Sequence, residues 1–133
     1  MAPTGKARAR VSRFGGHFTP KKTVDAEAKI RTVFEDYMDV YEIKMIEKDI
    51  PIEVNIYAYY EIPKAYSKSK RELALSRKIY PTKKPDKDNV EKLIYDALNK
   101  VVFWDDSQIV SGSFLKVFAD IPKIVVEVKE VVV

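Results

Sequence analysis

Residues 84–110 read KPDKDNVEKLIYDALNKVVFWDDSQIV. In this stretch Val90, Leu93, Ile94, Ala97, Leu98 and Val101 recur at i, i+3, i+4, i+7, i+8 and i+11, which predicts a helix over 88–101 with one apolar stripe. Asp88 or Asn89 suits its N-cap. Strand patterns lie on both sides of it. Upstream, residues 51–62 read PIEVNIYAYYEI, in which Ile52, Val54, Ile56, Ala58 and Tyr60 alternate with Glu53, Asn55, Tyr57 and Tyr59. One face of that strand belongs to a core and the other is half polar. Downstream, 109–119 and 123–132 read as two strands, with Asp120 to Pro122 as a hairpin turn between them.

The rest of the chain fills in around these elements. From Thr23, a plausible N-cap with Asp25 in the first turn, Val24, Ala28, Ile30, Val33, Phe34, Tyr37, Met38 and Tyr41 follow a helical stripe to about residue 43. Its outer face carries Glu35, Asp36, Asp39 and Glu42. Near the N-terminus, Ala7, Ala9 and Val11 alternate with Arg8, Arg10 and Ser12. Gly15-Gly16 then reads as a turn, with His17 to Thr19 returning as a hairpin. Residues 64–84 form a basic loop with a short helix through Arg77, anchored by Leu73, Leu75 and Ile79 and expected to be mobile without a partner. The expected fold is one α+β domain over 1–133, with a basic arm at about 1–22. Two main helices pack on a mixed sheet of about four strands.

Composition excludes much. The 133 residues contain no cysteine and one histidine. A disulfide scaffold, a thiol nucleophile and Cys- or His-rich metal centres are therefore ruled out. No apolar run reaches the ~18 residues of a membrane span, and no signal-peptide pattern opens the chain. A cytoplasmic protein with no membrane partner is the expectation. The net charge of +4 is unevenly spread. Residues 1–31 carry +6 and 64–84 carry +7, while 32–63 carry −6 and 85–133 carry −3. Two basic blocks are candidate phosphate contacts.

The chemistry gathers around the second helix. Asp86 and Asp88, two apart in an extended entry, point to the same side. Two such carboxylates repel unless a cation lies between them, and hard oxygen donors suit Mg²⁺ or Mn²⁺. Lys92 follows Asp88 by one helical turn, on the same face. A second pair, Asp105-Asp106, begins at the far end of a helix ~20 Å long. An extended return could bring it back, but on spacing alone a polar turn before the strand is the favoured reading.

Taken together, these residues resemble the RusA family of Holliday junction resolvases. The resemblance rests on a PDxDN segment at 85–89, a lysine one turn later, a DALN helix end at 96–99 and a DDxQ(I/V) segment at 105–109. The opening ARARVSRFGGHFTPKKT resembles the family's basic start, with Ala9 where that pattern has proline. The resemblance implies a homodimeric, Mg²⁺-dependent endonuclease that cuts four-way DNA junctions by paired symmetric nicks, often bacterial, phage or prophage encoded. Its catalytic set maps onto Asp86, Asp88, Asp106 and Lys92, with the three aspartates as metal ligands, Asp105 as the alternative to Asp106, and Mn²⁺ able to substitute. Arg8, Arg10, Arg13, Lys68, Lys70, Arg71, Lys83 and Lys84 are the expected DNA-binding residues. The strand at 52–60 and the edge at 124–132 are candidate dimer surfaces. The competing reading is a non-catalytic branched-DNA-binding module of the same fold.

Overall fold

The computed structural model describes residues 1–6, 10–11, 17–18 and 21–132. Its elements are β1 (Arg10–Val11), β2 (His17–Phe18), α1 (Lys21–Val40), β3 (Ile52–Glu61), α2 (Lys68–Leu75), α3 (Lys87–Leu98), β4 (Ile109–Ala119) and β5 (Lys123–Glu130). A single 3-10 turn, Asp106–Gln108, leads into β4. This is an α+β arrangement. Among the described residues no helix is long and apolar enough to cross a membrane.

The main sheet has three strands rather than four, in the order β4-β3-β5. β1 and β2 pair antiparallel with each other, Arg10 opposite Phe18, as a separate two-stranded hairpin. β3 runs parallel to β4 and antiparallel to β5. The expected hairpin between 109–119 and 123–132 is therefore absent, because β3 lies between these strands. Residues 120–122 instead cross the end of β3, a distance of two strand spacings of ~4.8 Å that a short extended loop can span. The central position of β3 follows from its alternation: Ile52, Val54, Ile56, Ala58 and Tyr60 are all buried. Being paired on both sides, β3 has no free edge for a second copy, contrary to the expectation for 52–60.

The sheet's apolar face is covered by helices. α3 is the element whose stripe was most legible, and Val90, Leu93, Ile94, Ala97 and Leu98 are fully buried. Against α3 and the sheet α1 lays Ala26, Ile30, Phe34 and Met38, an i+4 row. Three of the eight residues of the predicted α1 stripe, Ile30, Phe34 and Met38, reach the core, whereas Val24, Ala28, Val33, Tyr37 and Tyr41 are exposed. Apolar residues on α1 exceed one face, and only one face meets neighbours. α1 also starts at Lys21, so Thr23 is buried inside the helix rather than capping it.

Segment 64–84 is a packed element. Ser67 caps α2 by accepting from the Lys70 N–H at 3.2 Å. The helix is anchored by Ala74, fully buried in a cluster with Ala58, Tyr60, Ile62 and Phe118, joined by Tyr66 and Ile79. The expected anchors Leu73 and Leu75 are exposed. A small residue lets so short a helix approach the sheet closely, and its larger neighbours then face outward.

Candidate active site

α3 begins where the sheet ends. Tyr60, the last core residue of β3, donates its hydroxyl to the Pro85 carbonyl at 2.6 Å. Lys116 of β4 donates to the Lys83 carbonyl at 2.7 Å. Asp86 then occupies the N-cap of α3, not Asp88 or Asn89, yet its side chain makes no capping hydrogen bond. Asp88 lies in the first turn of the helix with its side chain 95% exposed. Lys87, between them, has its ammonium 3.8 Å from Asp88 and bonded to Glu91. The Glu91 carboxylate also accepts from the Tyr95 hydroxyl at 3.0 Å.

The second acidic pair divides in two. Asp105 is a working cap: its Oδ2 accepts from the Ser107 N–H at 3.0 Å, and its own N–H donates to Gln108 Oε1 at 2.9 Å. The Ser107 side chain and then its N–H hold the Asp105 carboxyl below the usual range. Gln108 is buried and donates to the carbonyls of Glu47 and Ile50 at 2.8 and 3.0 Å. The glutamine of the DDxQ segment thus ties the 3-10 turn to the loop before β3. The Asp106 carboxylate has no hydrogen-bonded partner among the described residues, but its charge reaches Tyr95. Burial first, then the hydrogen bond to Glu91, then the charges of Glu91 and Asp106 push the Tyr95 phenol upward. Tyr60 is pushed up to about 12 by burial and then by the charge of Asp86.

The predicted set is therefore only partly assembled. Asp86 and Asp88 share the start of α3, and Asp106 approaches its third turn. Among the described residues, no group of three or more Asp, Glu, His or Cys side chains is drawn close enough to hold a metal ion. As chemistry the donors fit Mg²⁺ or Mn²⁺: they are all carboxylate oxygens, and Asp86 and Asp106 are free of competing hydrogen bonds among the described residues. The Lys92 ammonium lies 3.9 Å from Asp96 on the next turn and pairs with none of Asp86, Asp88 and Asp106 among the described residues. Three residues missed from sequence share this region: Tyr60, Glu91 and Tyr95. The 87/91/95 spacing on α3 was the available signal for the last two. With Lys87, Ile109 and Phe114 they line a shallow groove between α3 and β4.

Basic residues surround the N-terminus of α3. Lys83 and Lys84 precede it and are exposed, as are Lys68 and Lys70 on α2. Lys70 lies over the Tyr66 ring at 4.1 Å, and Arg71 pairs with Asp120 at 2.6 Å. Residues 1–6 cross the same end of α3. The Lys6 N–H donates to the Asn89 carbonyl at 2.7 Å, and its ammonium bridges Glu27 of α1 and Asp96 of α3. Burial lowers the pKa of Lys6, but those two carboxylates raise it more. Arg10 lies in β1, whereas Arg8 and Arg13 lie outside the described residues. A wide groove at the opposite end of α3 is lined by Glu35, Asp36, Asp39 and Glu42 together with Arg31, Lys44 and Lys100. Trp104, 43% exposed, is not a core residue; its neighbour Phe103 is.

Two comparisons bear on this arrangement. The protein YqaN of Bacillus subtilis (strain 168), described as uncharacterized, is 36% identical over 83 residues. That alignment covers 61% of this chain and 58% of YqaN. A family model described as Endodeoxyribonuclease RusA matches residues 1–129. The match runs through β1 and β2, the acidic start of α3, the Asp105-Asp106 turn and all of the sheet but Glu130, and the chain belongs to the RusA endodeoxyribonuclease family.

Proposed function

We propose that the protein is a Mg²⁺-dependent endodeoxyribonuclease that resolves four-way DNA junctions, as a homodimer, by paired symmetric nicks. Family membership supports the reaction class. The observation that carries the site is the state of Asp86, an N-cap aspartate whose carboxylate is not used for capping. An aspartate in that position ordinarily accepts a backbone N–H of the first turn. Asp86 leaves its oxygens available on the side where Asp88 is exposed.

In this reading Asp86, Asp88 and Asp106 hold the ion through carboxylate oxygens, with Mn²⁺ able to substitute. When bound, Mg²⁺ supplies a Lewis acid for a phosphate oxygen and makes a water more acidic. Lys92 offers its ammonium to the charge that builds on the phosphate or on the leaving 3′-oxygen. Preorganised donors of this kind are worth ~3–4 kcal/mol. Its present pairing with Asp96 is long and exposed, so leaving it costs little. Arg8, Arg10, Arg13, Lys68, Lys70, Arg71, Lys83 and Lys84 take phosphates and position the DNA without reading its sequence. One chain carries one acidic set, and paired nicks on two strands call for two copies related by a two-fold axis.

One observation favours the non-catalytic branched-DNA-binding alternative: the Lys87 ammonium already pairs with Glu91 and lies 3.8 Å from Asp88, within the proposed site. The test is a synthetic four-way junction beside linear duplex of the same sequence, with and without Mg²⁺. Paired nicks only on the junction and only with metal are expected. Asp88→Asn should abolish cutting and leave junction binding intact. A salt-sensitive gel shift with no nicks in Mg²⁺ or Mn²⁺ would establish the binding module instead.

A further inference from the structure

The segment that delivers Asp86 to the site has no regular structure of its own. Residues 83–86 run between α2 and α3, and two side chains from the sheet hold them. The Tyr60 hydroxyl belongs to a residue only 3% exposed, and a buried hydroxyl requires a partner. Its partner at 2.6 Å is the carbonyl of Pro85, the residue before Asp86. Two residues earlier, the Lys83 carbonyl accepts from Lys116 at 2.7 Å. The Lys116 ammonium also lies 4.8 Å from the Tyr60 ring centroid, so the two anchors support each other. On the helix side, the Asp86 carbonyl accepts the Val90 N–H at 3.0 Å. The backbone of Asp86 is thereby held before and after its Cα while its carboxylate remains uncommitted.

We infer that Tyr60 is a positioning residue for Asp86, assisted by Lys116, fixing from the central strand where that carboxylate is presented. The inference rests on the proposed role of Asp86 as a metal ligand. Groups that orient ligands from a rigid element typically matter 10–100-fold in metal affinity or activity. Removing only the Tyr60 hydroxyl frees the Pro85 carbonyl, lets Asp86 sample other directions, and weakens the ion without touching DNA contacts.

The test compares the wild type, Tyr60→Phe, Tyr57→Phe and Asp86→Asn as full chains. Mn²⁺ binding is followed by electron paramagnetic resonance, and junction cutting is followed across a Mg²⁺ series. Tyr60→Phe should bind Mn²⁺ about tenfold more weakly and lose kcat at low Mg²⁺ with the KM for junction unchanged. Its rate should recover as Mg²⁺ is raised, whereas that of Asp86→Asn should not. Tyr57→Phe, on the other face of β3, should match the wild type. Wild-type Mn²⁺ affinity in Tyr60→Phe, alongside a loss in Asp86→Asn, would overturn the positioning role and leave the metal site standing. Equal Mn²⁺ binding by wild type and Asp86→Asn would overturn the metal-ligand role of Asp86 and the inference with it. A Tyr60→Phe defect that Mg²⁺ cannot rescue, with junction KM raised, would point to a general structural role and refute the inference.

Discussion

Asp105 and Asp106 are indistinguishable by residue type and adjacent in the chain, yet their surroundings differ. Asp105 caps the 3-10 turn; the Asp106 side chain faces Tyr95 and makes no hydrogen bond among the described residues. Opposite consequences of substitution are expected. Asp105→Ala should lower the urea midpoint, because the Ser107 N–H loses its acceptor, while Asp106→Ala should leave the midpoint unchanged and abolish junction cutting. The acid limb separates them further. The Asp105 carboxyl is held below its ordinary value in the folded chain. Its contribution to stability is thus present above the unfolded value, near 3.8, and lost as pH falls through the lower folded value. Urea titrations at neutral and strongly acid pH should show that loss in the wild type and in Asp106→Ala, but not in Asp105→Ala. A cutting defect confined to Asp105→Ala would reverse the assignment of the third aspartate.

At the scale of elements, the strongly patterned segments were legible and the weakly patterned ones were not. β3 and α3 bury every residue of their predicted stripes from Ile52 to Tyr60 and from Val90 to Leu98, since a strict period of two or 3.6 admits one buried face. α1 carries more apolar residues than a single face can use, so its pattern could not say which row faces inward. α2 is held by Ala74, a residue too small to stand out beside Leu73 and Leu75. The pairing of β3 with β4 depends on another small residue. A Cβ at Gly112 would lie 2.0 Å from the Val54 carbonyl oxygen, part of the backbone of the central strand. Gly112→Ala should therefore cost about 1–3 kcal/mol, measured by chemical denaturation, because β4 must move off β3 to admit it. A fully stable Gly112→Ala protein would mean that the two strands are spaced more loosely than this.

For the molecule as a whole, the ends of β3 and β4, the start of α3 and the exposed lysines of α2 converge at one end of the sheet, while a groove of mixed charge is at the other. If the exposed lysines take DNA phosphates as proposed, binding should depend strongly on salt. In the homodimer reading, a log–log plot of junction affinity against salt should fall by ~0.9 for each phosphate neutralised. The mass in solution should be twice 15.3 kDa at assay concentrations. Sedimentation equilibrium checks the second point, and a monomer that still makes paired nicks in one encounter would remove the need for two copies. The outer edge of β5, unlike that of β3, has no strand beside it among the described residues.

Residue order alone determined the two best-formed elements of this protein, the α+β class and, through the compound motif from Lys84 to Val110, its family. Those are local properties, carried by periodicity and by fixed short spacings. Tertiary structure decided what depends on residues far apart in the chain. The central place of β3 comes from pairing with residues 57 to 78 positions away, which no local pattern encodes. The anchoring of Pro85 by Tyr60 spans 25 residues, and the clasp of Lys6 on Asp96 spans far more. Whether an aspartate caps or stays free is likewise set by which backbone N–H groups come within reach, so Asp86 and Asp105 became distinguishable only once the chain was folded.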